Sequence, residues 1–211
     1  MSRSFYEAPR SRVYIDDYEV DLRLSQLGLT RLPLILAVRR GDIARRNTGR
    51  LELPSAPGFN AVSKGVEALR EETISLLWHP DRFLGIEVAM NNERTVAVTV
   101  TEGDVFCGTM GDRDPRTKAL KGPNTSRAVE DNRLFDDPEV TLWLLLTLST
   151  DEGLFAELSR PFEERDGVVY GWNERILLGD VSEGGALAEI NRSPQTAPSE
   201  QAIVNVIRKQ A

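Results

Sequence analysis

Apolar residues recur at helical spacing through the first fifty positions: Val20, Leu22, Leu24, Leu27 and Leu29 lead to Thr30, and Leu34, Leu36, Ala37 and Val38 follow. The pattern predicts two helices between Asp16 and Asn47, with Gly28 closing the first, Thr30 capping the second and Pro33 in its first turn. The pair has the outline of a helix-turn-helix, but the face that would enter a DNA groove is apolar, so the helices read as packed on the body of the protein. Pro54, Ser55, Pro57 and Gly58 mark residues 51–60 as a linker. Beyond it Val62, Val66, Leu69, Thr73 and Leu76 line one face of a helix spanning 61–77, opposite Lys64, Glu67, Arg70 and Glu71.

The period then changes to two. Leu84, Ile86, Val88 and Met90 alternate, Asn91-Asn92 offers a tight turn, and Val96, Val98 and Val100 alternate on the return, the signature of a hairpin. Some twenty residues without a hydrophobic period follow, then a short helix over 125–134. Residues 140–149 and 154–159 read as a second hairpin whose first strand is apolar on both faces and therefore central. Asp137-Pro138-Glu139 would equally start a helix, but the alternation of Leu154, Ala156 and Leu158 favours strands. Residues 167–170 and 174–178 flank Gly171 as a bulged strand, Glu163 to Asp166 form a solvated turn, 186–190 could add a helical turn, and 203–208 supply a last strand. The expected fold is α+β: an N-terminal helical pair and a mostly antiparallel sheet of about six strands packed by one amphipathic helix. It is organised as 1–50, the linker 51–60 and a body at 61–211, or as a single domain.

Composition narrows the chemistry. The 211 residues contain one histidine, His79, and one cysteine, Cys107, so no disulfide can form within the chain and a Cys/His zinc site lacks its ligands. His79, before Pro80 and near Asp81, reads as a helix-stop residue beside a buried Trp78; as a general base it would need a nucleophile that no Gly-x-Ser-x-Gly supplies. Cys107 reads as a small buried hydrophobe. Trp143, Phe155, Tyr170 and Trp172 fall in the most apolar strands and read as core. The longest apolar run, 142–148, is far short of a membrane span, and the first twenty residues do not resemble a signal peptide. A cytoplasmic protein without a cofactor is expected.

Charge is unevenly placed. The chain carries −7, yet residues 39–50 set Arg39, Arg40, Arg45, Arg46 and Arg50 against Asp42 alone, and residues 113–127 set Arg113, Arg116, Lys118, Lys121 and Arg127 against Asp114 alone. The second cluster sits among Gly108, Gly111 and Gly122, with Thr125 or Ser126 opening a helix. Glycines for close backbone approach, cations and a helix N-terminus suit an anion. The expected function is a non-enzymatic interaction protein that engages an anionic partner, whether nucleic acid, phosphate ligand or acidic protein, through this loop. The competing reading is a magnesium-dependent nuclease or phosphoesterase using Glu102, Asp104, Asp112 and Asp114, flanked by Glu130 and Asp131, since oxygen ligands suffice for magnesium. The helix followed by a hairpin resembles the restriction-endonuclease-like core, whose acidic residue and Glu-x-Lys lie on adjacent strands. Here Glu87 is followed by Val88-Ala89 and Lys118 falls in a loop.

Overall fold

The computed structural model describes residues 11–135 and 138–182. Seven strands form one mixed sheet in the order β1-β7-β6-β5-β4-β3-β2. They are β1 (Arg12–Tyr14), β2 (His79–Phe83), β3 (Ile86–Met90), β4 (Val96–Glu102), β5 (Thr141–Ser149), β6 (Leu154–Arg165) and β7 (Val168–Asp180). Four helices pack on it: α1 (Asp17–Gln26), α2 (Arg31–Arg46), α3 (Ala56–Thr73) and α4 (Pro123–Leu134). An α+β class fits, with more strands than expected and helices on both faces rather than one helix packing the sheet.

Two separate apolar cores explain the layering. Val20, Leu24, Leu34 and Leu69 of the first three helices pack with Val98, Trp143, Leu145 and Ile176 on one face. Ala128 and Val129 of α4 pack with Ala97, Leu142, Leu144 and Leu146 on the other. Successive residues of β5 thus serve opposite cores, which a helix could not do, and β5 lies at the centre of the sheet as its doubly apolar sequence requires.

The Asn91-Asn92 hairpin forms, with Ala89 opposite Val98 and Met90 opposite Ala97. Leu84 is not in the strand: it and Gly85 take positive φ and turn β3 back onto β2, a strand the hydrophobic pattern did not show because it reads His-Pro-Asp-Arg-Phe. β1 was equally hidden, a three-residue edge strand paired in parallel with β7. The second parallel pair, β4 with β5, follows from α4 crossing between them. The presumed linker 51–60 is half helix, because α3 begins at Ala56 with Pro57 in its first turn. Thr30 precedes α2 in extended backbone but makes no side-chain cap. Both 186–190 and 203–208 lie outside the described residues.

Register shifts between Arg160 and Glu164 interrupt β6 against β7. A bulge bends the strand that carries it, and here it brings the outer half of the hairpin against the α4 side: Val169 and Trp172 join that core, and the Trp172 indole donates to the Pro115 carbonyl at 2.8 Å. Gly171, read as a bulge, permits this. A Cβ there would stand 2.7 Å from the Cβ of Glu163.

Candidate functional site

The loop between β4 and α4 is built rather than loose. Gly103 bridges to Thr117, the Thr117 amide donates to the Val169 carbonyl, and the Lys121 amide to that of Gly167. Beneath it lies the most buried charge pair among the described residues, Glu157 at 0% and Arg175 at 2% exposure. The guanidinium grips the carboxylate at 2.6 and 3.0 Å, donates to Asp114 at 3.0 Å and donates to the Thr109 carbonyl at 3.1 Å. Glu157 also accepts the Gly108 amide and the Ser159 hydroxyl, and Asp114 accepts the Ser11 hydroxyl. Burial alone would lower the pKa of Arg175, but the hydrogen bonds and charge of Glu157, with Asp114, outweigh it and hold the group raised. This satisfied network fastens the loop to the sheet.

The loop glycines must therefore be read differently. Gly108 has φ +72°, and a Cβ there would meet the Ala156 amide nitrogen at 2.9 Å. It allows close approach to β6, not to a ligand. Cys107 beside it is fully buried, its thiol pushed well up by burial and then by the charge of Glu157, as a small core residue should be.

The loop acids do not gather. Glu102 faces α2 and pairs with Arg45, Asp104 accepts the Phe106 amide and faces Arg113 at 3.6 Å, Asp114 belongs to Arg175, and Asp112 is exposed. Glu130 faces Arg133 within α4. Among the described residues no group of three or more His, Cys, Asp or Glu could hold a metal ion. His79 stands at the start of β2, with Asp81 3.6 Å away; Asp81 itself is claimed by Arg94 at 2.6 Å.

The cations divide sharply. In 39–50, Arg39 donates to the carbonyls of Val181 and Ser182, Arg40 pairs with Glu71 and Glu72, Arg45 with Glu102, and Arg46 with Asp42 at 2.5 Å. Only Arg50 of that cluster has no such partner among the described residues. In 113–127, Arg113 also lies 4.1 Å over the Phe106 ring. Lys121 is turned inward, donating to the Thr101 hydroxyl, and burial lowers its pKa to about 8. Arg116, Lys118 and Arg127 are exposed and unpaired among the described residues.

The helix N-terminus offers less than its sequence suggests. α4 starts at Pro123, which has no N–H, and the amides of Thr125 and Ser126 both donate to the Gly122 carbonyl. The side chains count for more. Ser126 and Arg127 line a groove of about 700 Å³ between α4 and the bent β6–β7 hairpin, where they meet Arg133, Phe162, Arg165 and Tyr170. Glu130, Glu163 and Glu164 lie there too, but Glu130 faces Arg133 and Glu164 accepts the Gly167 amide. Sequence reasoning missed Arg133, Arg165 and the groove itself. It placed Tyr170 in the core, whereas the ring is only half-buried. Trp143 and Trp172 are core residues as expected. Comparison with protein-family models, with curated proteins and with solved structures finds no match for this chain. Among the described residues no helix is long and apolar enough to cross a membrane.

Proposed function

We propose that the protein is a non-enzymatic interaction module that engages an anionic partner in the groove between α4 and the β6–β7 hairpin. The observation that carries this reading is the convergence of Arg127 and Arg165 on one concave surface with Ser126 and Tyr170. Neither guanidinium is taken by a carboxylate of the described chain, so both keep planar donors for a carboxylate or phosphate. Arg116 and Lys118 lie on the adjoining loop, whose position beside the hairpin is fixed by the Thr117–Val169 and Lys121–Gly167 backbone bonds. The groove also carries carboxylates, which repel a continuous phosphate backbone and favour a partner with localised negative charge.

Titration with heparin, single- and double-stranded DNA and an oligoglutamate peptide, each at two salt concentrations, tests the reading. Arg127→Ala/Arg165→Ala should lose about ten-fold or more in affinity, while Arg40→Ala/Arg46→Ala, which removes internally paired cations, should bind like wild type. Affinity should also fall as salt rises. Equal binding by both variants, or no binding by the wild type, overturns it.

A further inference from the structure

We infer that a small cavity between α2 and the C-terminal end of β5 binds a single water-sized hydrogen-bond donor, a water molecule or an ammonium ion, that ties the helix to the sheet. The site starts from one carboxylate. Asp42 lies within α2 and is only 7% exposed. Its Oδ2 turns to Arg46 at 2.5 Å, whose side chain is 68% exposed and lies toward solvent. Its Oδ1 is buried and receives no hydrogen bond from the described residues. A buried acceptor left unmatched is destabilising, and nearly all such groups in folded proteins have a partner. Asp42 therefore calls for a donor at Oδ1.

The space beside it has the size and the chemistry for one. Asp42 lines a cavity of about 10 Å³ together with Gly41, Ala61, Thr147 and Ser149, which is room for one water-sized molecule. Alternation along β5 brings the two hydroxyls there. Trp143 and Leu145 face the core beneath α1, α2 and α3, and Thr147 and Ser149 follow at steps of two. Neither hydroxyl is bonded elsewhere among the described residues, and neither reaches Asp42 Oδ1. Gly41 shapes the helix side: a Cβ there would stand 2.7 Å from the Ala61 carbonyl oxygen, so glycine lets α2 and α3 meet closely above the cavity. The charges around it balance, because Arg46 pairs with Asp42 and Arg45 with Glu102. No acid is left over to hold a divalent cation. Three oxygens thus border one small space. A water would donate to Oδ1 and complete its bonds at hydroxyls that can donate or accept, and an ammonium ion would donate to all three. The site shares no residue with the α4 groove and does not depend on anion binding there.

The test uses the full chain. Crystals diffracting well enough to show ordered water should carry a single density peak within about 3.2 Å of Asp42 Oδ1 and of at least one of the two hydroxyls. Thr147→Val keeps the side-chain shape and removes one hydroxyl; it should lower the melting temperature by about 3 °C, as should Asp42→Asn. The double variant should lose clearly less than the sum, because each single change already releases the same bound molecule. Without an occupant, a methyl in place of an unused hydroxyl costs nothing. Melting in ammonium chloride and in sodium chloride at equal ionic strength assigns the occupant. A rise of about 2 °C or more with ammonium, absent in Thr147→Val, identifies the ion, and matching curves identify water. No peak at Oδ1, a Thr147→Val variant as stable as wild type, or additive losses in the double variant would overturn the inference.

Discussion

Residues 39–50 and 113–127 each set five cations against one carboxylate, yet they meet different surroundings. The first segment is the end of α2 and its continuation, where Arg40 and Arg45 meet acidic groups of α3 and β4, Arg46 meets Asp42 of α2 itself and Arg39 donates to backbone carbonyls, so four of its five arginines find partners within the chain. The second crosses from β4 to α4 over the opposite face, where one acid, Asp114, is drawn inward to Arg175 and one cation, Lys121, is drawn inward to Thr101. Three cations remain outside and unmatched among the described residues. Equal local charge therefore says little about availability. What matters is which carboxylates the fold brings near.

The comparison can be broken most forcefully from below. Arg175→Ala would leave Glu157 charged and buried, and should cost about 3–5 kcal/mol, measured by urea unfolding, together with loss of exchange protection across 108–117. The double change Glu157→Met/Arg175→Met removes both charges and should recover most of that stability while leaving the loop unfastened. A double variant as unstable as the single one would show that the pair is not the fastening.

On the first segment, Arg45→Ala and Arg46→Ala each leave a largely buried carboxylate, Glu102 or Asp42, without its ion partner, and each should cost roughly 1–3 kcal/mol. Equal, negligible losses would mean that the segment is not held by its pairs.

Lys121 separates the segments by pH. Its folded pKa of about 8 lies below the ordinary lysine value of 10.5, so between these values the unfolded chain binds more protons and stability should rise with pH. Below about 8 the cost of burying the charge is fully present. Urea midpoints from pH 7 to 10 should show the rise in wild type and a flatter line in Lys121→Met; parallel lines would place the titration elsewhere. The smallest effect on folding belongs to Arg116→Ala, Lys118→Ala and Arg127→Ala, each within ~0–1 kcal/mol. A larger loss from any of them would show that the second segment, like the first, is held by internal contacts.

Sequence by itself determined the elements with a hydrophobic period. The helices over 17–46, the length of α3 beyond Ala61, the Asn91-Asn92 turn, the central β5 and the bulge at Gly171 were legible because burial of one face imposes a local repeat of 3.6 or 2, whereas Pro54, Pro57 and Gly58 hid the start of α3 at Ala56. β1 and β2 were not legible, since edge strands bury too little to leave an alternation. Nor were the roles of the charged residues. Arg175 meets Asp114 across 61 positions and Arg45 meets Glu102 from a different element, and a charge pair leaves no periodic trace in the chain. Only the tertiary structure decided that Asp114 and Gly108 serve the fold, and that Arg127 meets Arg165 across a groove. The physical reason is that periodicity reports which way a side chain faces, whereas its partner is set by the bends and crossings that bring distant elements together.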